Sequence, residues 1–164
     1  MSSHRATNPG ALALRPVAQD DREFLVELYA SMREPELAHV PWDEPTRRAF
    51  IEQQFAAQDA QYRERYPGAT LDVIEVGGER AGRLYVHRGR GDIRIMDIAL
   101  IPLVRGRGIG SRLLRALMAE ADASARKLSI HVEMNNRARR LYERLGFRHV
   151  GEHGVYVLME RRPT

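Results

Sequence analysis

Cysteine is absent from this chain of 164 residues, so disulfides, thiolate metal sites and any mechanism running through a cysteine nucleophile are excluded. Lysine is almost absent as well. Lys127 stands alone, and no Gly-x-x-x-x-Gly-Lys-Ser/Thr phosphate loop can be written. No apolar run is long enough to cross a bilayer, and the opening Met1-Ser2-Ser3-His4-Arg5 leads into no hydrophobic signal core. A cytoplasmic protein with no membrane partner and no bound metal is expected.

Arginine takes lysine's place. Lysine and arginine together number 26 against 22 acids, for a net charge of +4. The basic residues are scattered in ones and twos among acids, as in Asp20-Asp21-Arg22-Glu23 and Tyr62-Arg63-Glu64-Arg65. No basic stripe is interleaved with aromatics, so nucleic acid is not an expected partner. The length suits one domain with a real core. Residues 1–10 read as a mobile polar lead closed by Asn8-Pro9-Gly10, and 11–164 as that single domain.

Apolar periodicity predicts the order β-α-α-β-β-β-α-β-α-β-β. A strand over 11–17 precedes a helix capped by Asp20 or Asp21 and ended after Met32 by Glu34-Pro35. Pro41-Trp42-Asp43-Glu44-Pro45 is a turn-rich loop before a second helix over about 46–66. Strands follow near 71–77, 80–88 and 92–101, with Gly77-Gly78 and Arg88-Gly89-Arg90-Gly91 as hairpin turns. After a third helix come a strand at 127–133, an asparagine-capped helix, and strands near 147–150 and 154–160. The pattern is α/β (α+β): a mixed, mostly antiparallel sheet of about seven strands with helices on both faces.

The most informative segment joins the third of the middle strands to the third helix. The apolar run Ile98-Ala99-Leu100-Ile101 ends at Pro102, and Gly106, Gly108 and Gly110 follow at alternate positions. Ile109, Leu113, Leu114, Leu117, Met118 and Ala121 then recur at helical spacing. Glycines let the backbone approach a ligand with no Cβ in the way. The first N–H groups of the helix lack intrahelical partners and carry the positive end of its dipole. Strand, glycine turn and helix N-terminus together suit a phosphate or pyrophosphate. The dinucleotide fingerprint Gly-x-Gly-x-x-Gly is not met, because the spacing here is Gly106-x-Gly108-x-Gly110.

Two blocks carry a resemblance to a known family. Arg105-x-x-Gly108-x-Gly110 is similar to the Arg/Gln-x-x-Gly-x-Gly/Ala signature of the GCN5-related N-acetyltransferases, the GNAT family. Asn135-Asn136-Arg137-Ala138-Arg139-Arg140-Leu141-Tyr142-Glu143-Arg144-Leu145-Gly146-Phe147 resembles the family's Asn-x-x-Ala-x-x-Leu-Tyr-Glu-x-Leu-Gly-Phe segment. The resemblance covers residues from about 70 to 160 and reaches the N-terminal part by pattern only.

The resemblance implies a GNAT fold, with a splay between the fourth and fifth strands, and direct acetyl transfer from acetyl-coenzyme A to a primary amine in a ternary complex. The thioester arm is expected along Ile98, Ala99 and Leu100, where one backbone N–H stabilises the thioester carbonyl. Arg105 and the turn of Gly106, Arg107, Gly108, Ile109, Gly110 and Ser111 are expected to hold the pyrophosphate. Either Asn135 or Asn136 bonds the pantetheine arm, with Asn135 at the commoner family spacing. Tyr142 matches the tyrosine that protonates the departing thiolate.

The base stays open among Glu133, His131, Asp97 and a water chain. His131 and Glu133 share one face of their strand, and Asp97 directly precedes the Ile98-Ala99-Leu100 segment. The acceptor is expected near the first two helices and their loop, with Trp42, Asp43, Tyr29 and Arg33 as candidate contacts. An aromatic beside carboxylates in that loop suits a cationic amine. Homodimerisation is left open. The alternative reading is a non-catalytic coenzyme A-binding module or sensor, which the retained Tyr142 disfavours.

Overall fold

The computed structural model describes residues 10–164, so the polar lead at 1–10 lies outside the described residues but for Gly10. Seven strands and four helices follow in the expected order. They are β1 (Leu12–Pro16), α1 (Arg22–Leu37), α2 (Glu44–Arg65), β2 (Thr70–Val76), β3 (Glu79–Arg88) and β4 (Asp92–Leu100), then α3 (Ile109–Ala123), β5 (Lys127–Glu133), α4 (Arg139–Arg144), β6 (Arg148–His153) and β7 (Tyr156–Arg161). The strands hydrogen-bond as one sheet in the order β1-β2-β3-β4-β5-β7-β6. β1–β2, β5–β7 and β6–β7 are antiparallel, and β4–β5 is the parallel pair. This is the mixed, mostly antiparallel sheet that the pattern predicts.

Contacts group the chain into two compact units. The first holds residues 10–67 with Leu71–Leu84 and Ala99–Arg105. Its core is made where α1 meets α2: Leu25, Val26, Tyr29 and Leu37 pack with Ile51 and Phe55, and Tyr29 meets Phe55 edge-on at 6.2 Å. Proline does not end α1 where expected. Pro35 lies inside its last turn, and the helix runs on to Leu37. The end is held from outside, since the Arg47 guanidinium of α2 donates to the Leu37 carbonyl at 3.1 Å, satisfying an orphan helix acceptor. α2 starts a little earlier than expected, with the Asp43 carboxylate accepting from the Thr46 N–H at 2.9 Å as its N-cap.

Asp21 stands at the N-cap of α1, yet its side chain makes no cap bond to that helix. The carboxylate is fully buried and accepts from both Arg15 Nη atoms (2.7 and 2.8 Å), Arg80 Nε (2.8 Å) and the Ala18 N–H (2.7 Å). Tertiary partners have claimed a residue that local sequence reads as a cap.

The second unit holds Gly68–Thr70, Tyr85–Ile98 and Gly106–Thr164. Here α3 packs on β5, with Ile109, Leu113, Leu114, Leu117 and Ala121 buried on one stripe and Leu128, Ile130 and Val132 buried on the strand. Each of these leucines, isoleucines and the valine contributes about 1.5–3 kcal/mol relative to exposure. Arg161 of β7 forms a bidentate pair with Asp122 of α3 at 2.8 and 3.1 Å.

Candidate active site

After β4 the chain makes a single 3-10 turn at Pro102–Val104 and then the glycine turn. Gly106 (φ 77°) and Gly108 (φ 78°) are left-handed, a region that costs an L-residue with a Cβ roughly 1–2 kcal/mol. Gly108 is the N-cap of α3, and the Arg112 N–H closes the first helical bond to its carbonyl at 3.1 Å. The amides of Ile109, Gly110 and Ser111, ahead of that bond, open out of the helix end. A Cβ built at Gly106, Gly108 or Gly110 would meet nothing within 4 Å. The turn is therefore an open, donor-lined cradle, as an anionic phosphate requires. Arg105 braces it: Nε donates to the Leu100 carbonyl at 2.9 Å and Nη2 contacts Met32 Sδ at 3.3 Å.

The β4–β5 ladder runs from Asp92↔Lys127 to Ile95↔Ile130 and stops there. β4 nevertheless continues to Leu100 and β5 to Glu133. Met96, Asp97 and Ile98 therefore leave the ladder, which is the splay expected between the fourth and fifth strands. Further along β4, the backbone of Ala99 is pressed against Gly82 of β3 so closely that a Cβ there would collide with the Ala99 carbonyl oxygen. The next residue but one, Ile101, donates its N–H to Ala81 O at 2.8 Å.

α4 is shorter than the sequence suggests. Turns at 134–135 and 137–138 precede it, and between them Asn136 Oδ1 accepts from the Ala138 N–H at 2.9 Å, an Asx-type cap of the second turn. Asn135 beside it is exposed. A cavity of about 660 Å³ opens here, with Asn135, Asn136, Arg137, Arg139 and Arg140 in its walls. On α4, Tyr142 is buried against Phe147 at 5.7 Å. Burial first, and then the negative charge of Asp97, push its phenol up to about 12. Asp97 and Tyr142 are thus in electrostatic reach of each other. Glu133 ends β5 opposite Tyr156 of β7, and His131 lies opposite Leu158.

Sequence reasoning missed what holds His131. Arg94 Nη1 lies 3.0 Å from its Nδ1, and Arg94 Nε donates to Ser129 Oγ at 2.7 Å. Ser129 is fully buried and donates in turn to the Asp92 carboxylate at 2.8 and 3.0 Å. The register pair Arg94↔Ser129 makes this contact, so the only signal was the alternation of polar residues along β4 and β5.

In the first unit the acceptor candidates are largely engaged with their own neighbours. Arg33 lies over the Tyr29 ring at 5.4 Å, and its Nε donates to the Tyr29 hydroxyl at 3.1 Å. Asp43 caps α2, and Trp42 packs on Phe50 at 4.9 Å while remaining 39% exposed.

The acetyltransferase (GNAT) family model matches residues 24–147, about three quarters of the chain. The chain belongs to the GNAT family. Solved GNAT-type structures share its fold at low identity. One is the PaiA N-acetyltransferase of Thermoplasma acidophilum in complex with coenzyme A, at 15% identity, covering 93% of this chain and 99% of that one with a TM-score of 0.68. An acetyltransferase from Thermus thermophilus gives 21%, 94%, 98% and 0.68 for the same quantities. The ribosomal-protein-S18-alanine N-acetyltransferase of Escherichia coli gives 17%, 94%, 95% and 0.60. GNAT proteins use acetyl-coenzyme A, and the Cβ-free cradle at Gly106–Gly110 is chemically suited to its pyrophosphate. No group of His, Asp or Glu able to hold a metal occurs among the described residues, and no helix there is long and apolar enough to cross a membrane.

Proposed function

We propose that this GNAT protein transfers an acetyl group directly from acetyl-coenzyme A to a primary amine, with both substrates bound together. The observation that carries this reading is the open cradle of left-handed glycines at the N-terminus of α3, directly downstream of a strand that has left its ladder. The turn amides and Arg107 hold the pyrophosphate, while Arg105 shapes the turn. Ile98, Ala99 and Leu100 offer backbone groups to the pantetheine arm and one N–H to the thioester carbonyl. Asn135 is the asparagine for that arm, since Asn136 is committed to its turn. Acetyl-coenzyme A supplies the activated thioester.

A lysine-type amine of pKa about 10.4 is only about a thousandth neutral near pH 7.4, which costs roughly 4 kcal/mol. Holding two reactants in line recovers roughly 7–11 kcal/mol by effective-molarity estimates. Direct transfer thus needs only modest proton help. Tyr142 gives its proton to the leaving sulfur, and its upward shift keeps it in the acid form at any working pH. Asp97 is the carboxylate that best suits the amine's proton, directly or through water, because its charge already acts on Tyr142. Trp42, packed at a tilt on Phe50 and part-exposed, is the retained candidate for an acceptor contact.

The test is release of coenzyme A thiol in a panel of amines, run with a binding assay. With acetyl-coenzyme A at about a hundred times its Kd, mass action adds roughly 2.7 kcal/mol, several degrees in Tm. Gly108→Asp should remain folded and lose that shift, because its carboxylate enters the cradle. A folded Gly108→Asp protein with the full shift would place the site elsewhere. Binding without thiol release on any amine would leave a coenzyme A-binding module.

A further inference from the structure

We propose that Arg94 is a positioning residue: it fixes His131 as the imidazole protonated on Nε2, so that in the transfer reaction His131 donates a hydrogen bond instead of accepting the amine's proton. The proposal rests on the acetyltransferase reading for its use, but its structural half stands without it. A guanidinium has donors and no acceptor, and it stays charged at every accessible pH. Arg94 Nη1 at 3.0 Å from His131 Nδ1 is therefore a bond donated to the ring, and Nδ1 must be the unprotonated nitrogen. In a neutral imidazole the proton then sits on Nε2. With Nδ1 occupied by Arg94 and Nε2 already protonated, the neutral ring has no lone pair left to take a proton from an ammonium.

The arrangement is rigid for a reason. Arg94 is held by the buried Ser129 at 2.7 Å, and Ser129 by Asp92 at 2.8 Å, with Asp92 also 3.8 Å from the Arg94 guanidinium. A guanidinium anchored at Nε by a buried hydroxyl swings away from the ring only by leaving that hydroxyl's acceptor side unpaired. The strand registers set the surroundings of the ring. The charged and titratable residues that the registers place on its face are Asp92 and Arg94 of β4, Lys127 and Glu133 of β5, Tyr156 and Glu160 of β7, and Arg148 and His153 of β6. Lys127 and Glu160 are paired with each other at 3.0 Å.

Long-range ¹H–¹⁵N spectra of the substrate-free protein, with the His131 signals assigned by their loss in His131→Gln, read the tautomer directly. An Nε2-protonated ring with an unprotonated Nδ1 is expected, and Arg94→Met should relax it toward a mixture. A wild-type ring protonated on Nδ1, or already mixed, would overturn the proposal, as would an Arg94→Met spectrum unchanged from wild type. This readout needs neither substrate nor turnover, so its failure is separate from failure of the transferase reading. In kinetics on an accepted amine, His131→Gln should raise the amine KM several-fold and leave every limb of the kcat/KM pH profile in place. Disappearance of a limb together with a roughly 10²–10⁴-fold loss of kcat would make His131 the base and overturn the proposal.

Discussion

Tyr142 shows how burial and charge together prepare a side chain for one role. Its phenol is pushed up to about 12 by desolvation and by Asp97, so it remains a proton donor throughout the working range. Tyr142→Phe should keep coenzyme A binding and the Phe147 contact while lowering kcat by roughly 10²–10⁴-fold on an amine for which chemistry limits the rate. The same shift has a stability consequence whose sign is fixed. The folded phenol keeps a proton that the unfolded chain releases near pH 10, so the stabilisation is complete below pH 10 and is lost as pH rises toward 12. By pH 11 the wild type should have lost about 1 kcal/mol that Tyr142→Phe does not lose, seen as a steeper fall of Tm between pH 9 and 11. Tyr142 was legible in the sequence because its helix and its motif are local. Arg94 was not, because its role depends on Ser129 and His131, 35 and 37 residues away across a strand register.

Elements were legible wherever the physics is local, and shifted wherever a distant partner intervenes. The glycine turn announced itself because left-handed backbone selects glycine at Gly106 and Gly108. Pro35 sits inside the last turn of α1, where it forgoes its own helical N–H bond, and the helix still runs on to Leu37, whose carbonyl Arg47 satisfies. Asn136 caps a turn, and α4 starts only at Arg139. Gly82 is an element-scale constraint that no motif marks: β3 and β4 approach so closely there that only a bare Cα fits against the Ala99 carbonyl. Because Ala99 belongs to the segment proposed to line the thioester arm, Gly82→Ala must push that backbone aside. The expected result is a protein that still folds, with Tm lowered by several degrees and acetyl-coenzyme A affinity reduced at least tenfold by calorimetry. Gly68→Ala is a control for lost stability without a clash at the proposed site, since it is strained at φ 80° but its Cβ meets nothing. It should lower Tm without touching affinity.

At the scale of the whole molecule, 26 basic and 22 acidic side chains make paired carboxylates the groups most sensitive to acid. Each compact unit holds such a lock. In the first, Arg15 before all else, together with the Ala18 amide and Arg80, holds buried Asp21 far below the usual carboxylate range. In the second, Asp122 is lowered to about 2, chiefly by Arg161 and also by the Thr164 N–H. Both folded pKa values are depressed, so the stability they contribute is present above the unfolded value of about 3.9 and is lost as pH falls through the folded one. Titration from pH 5 to pH 2 should therefore lower the urea midpoint progressively, with net positive charge from the unopposed arginines adding repulsion. Asp21→Asn leaves Arg15 and Arg80 without their shared anion and should cost roughly 2–3 kcal/mol at pH 7 by loss of charged hydrogen bonds. It should also flatten the acid slope. Asp122→Asn should flatten the part of the slope between about pH 4 and 2 with a smaller loss at neutral pH, since its partner-lined carboxylate is part-exposed. An Asp21→Asn protein with an unaltered midpoint at pH 7 and the full wild-type acid slope would show that this buried anion is not what ties Arg15 and Arg80 to the start of α1.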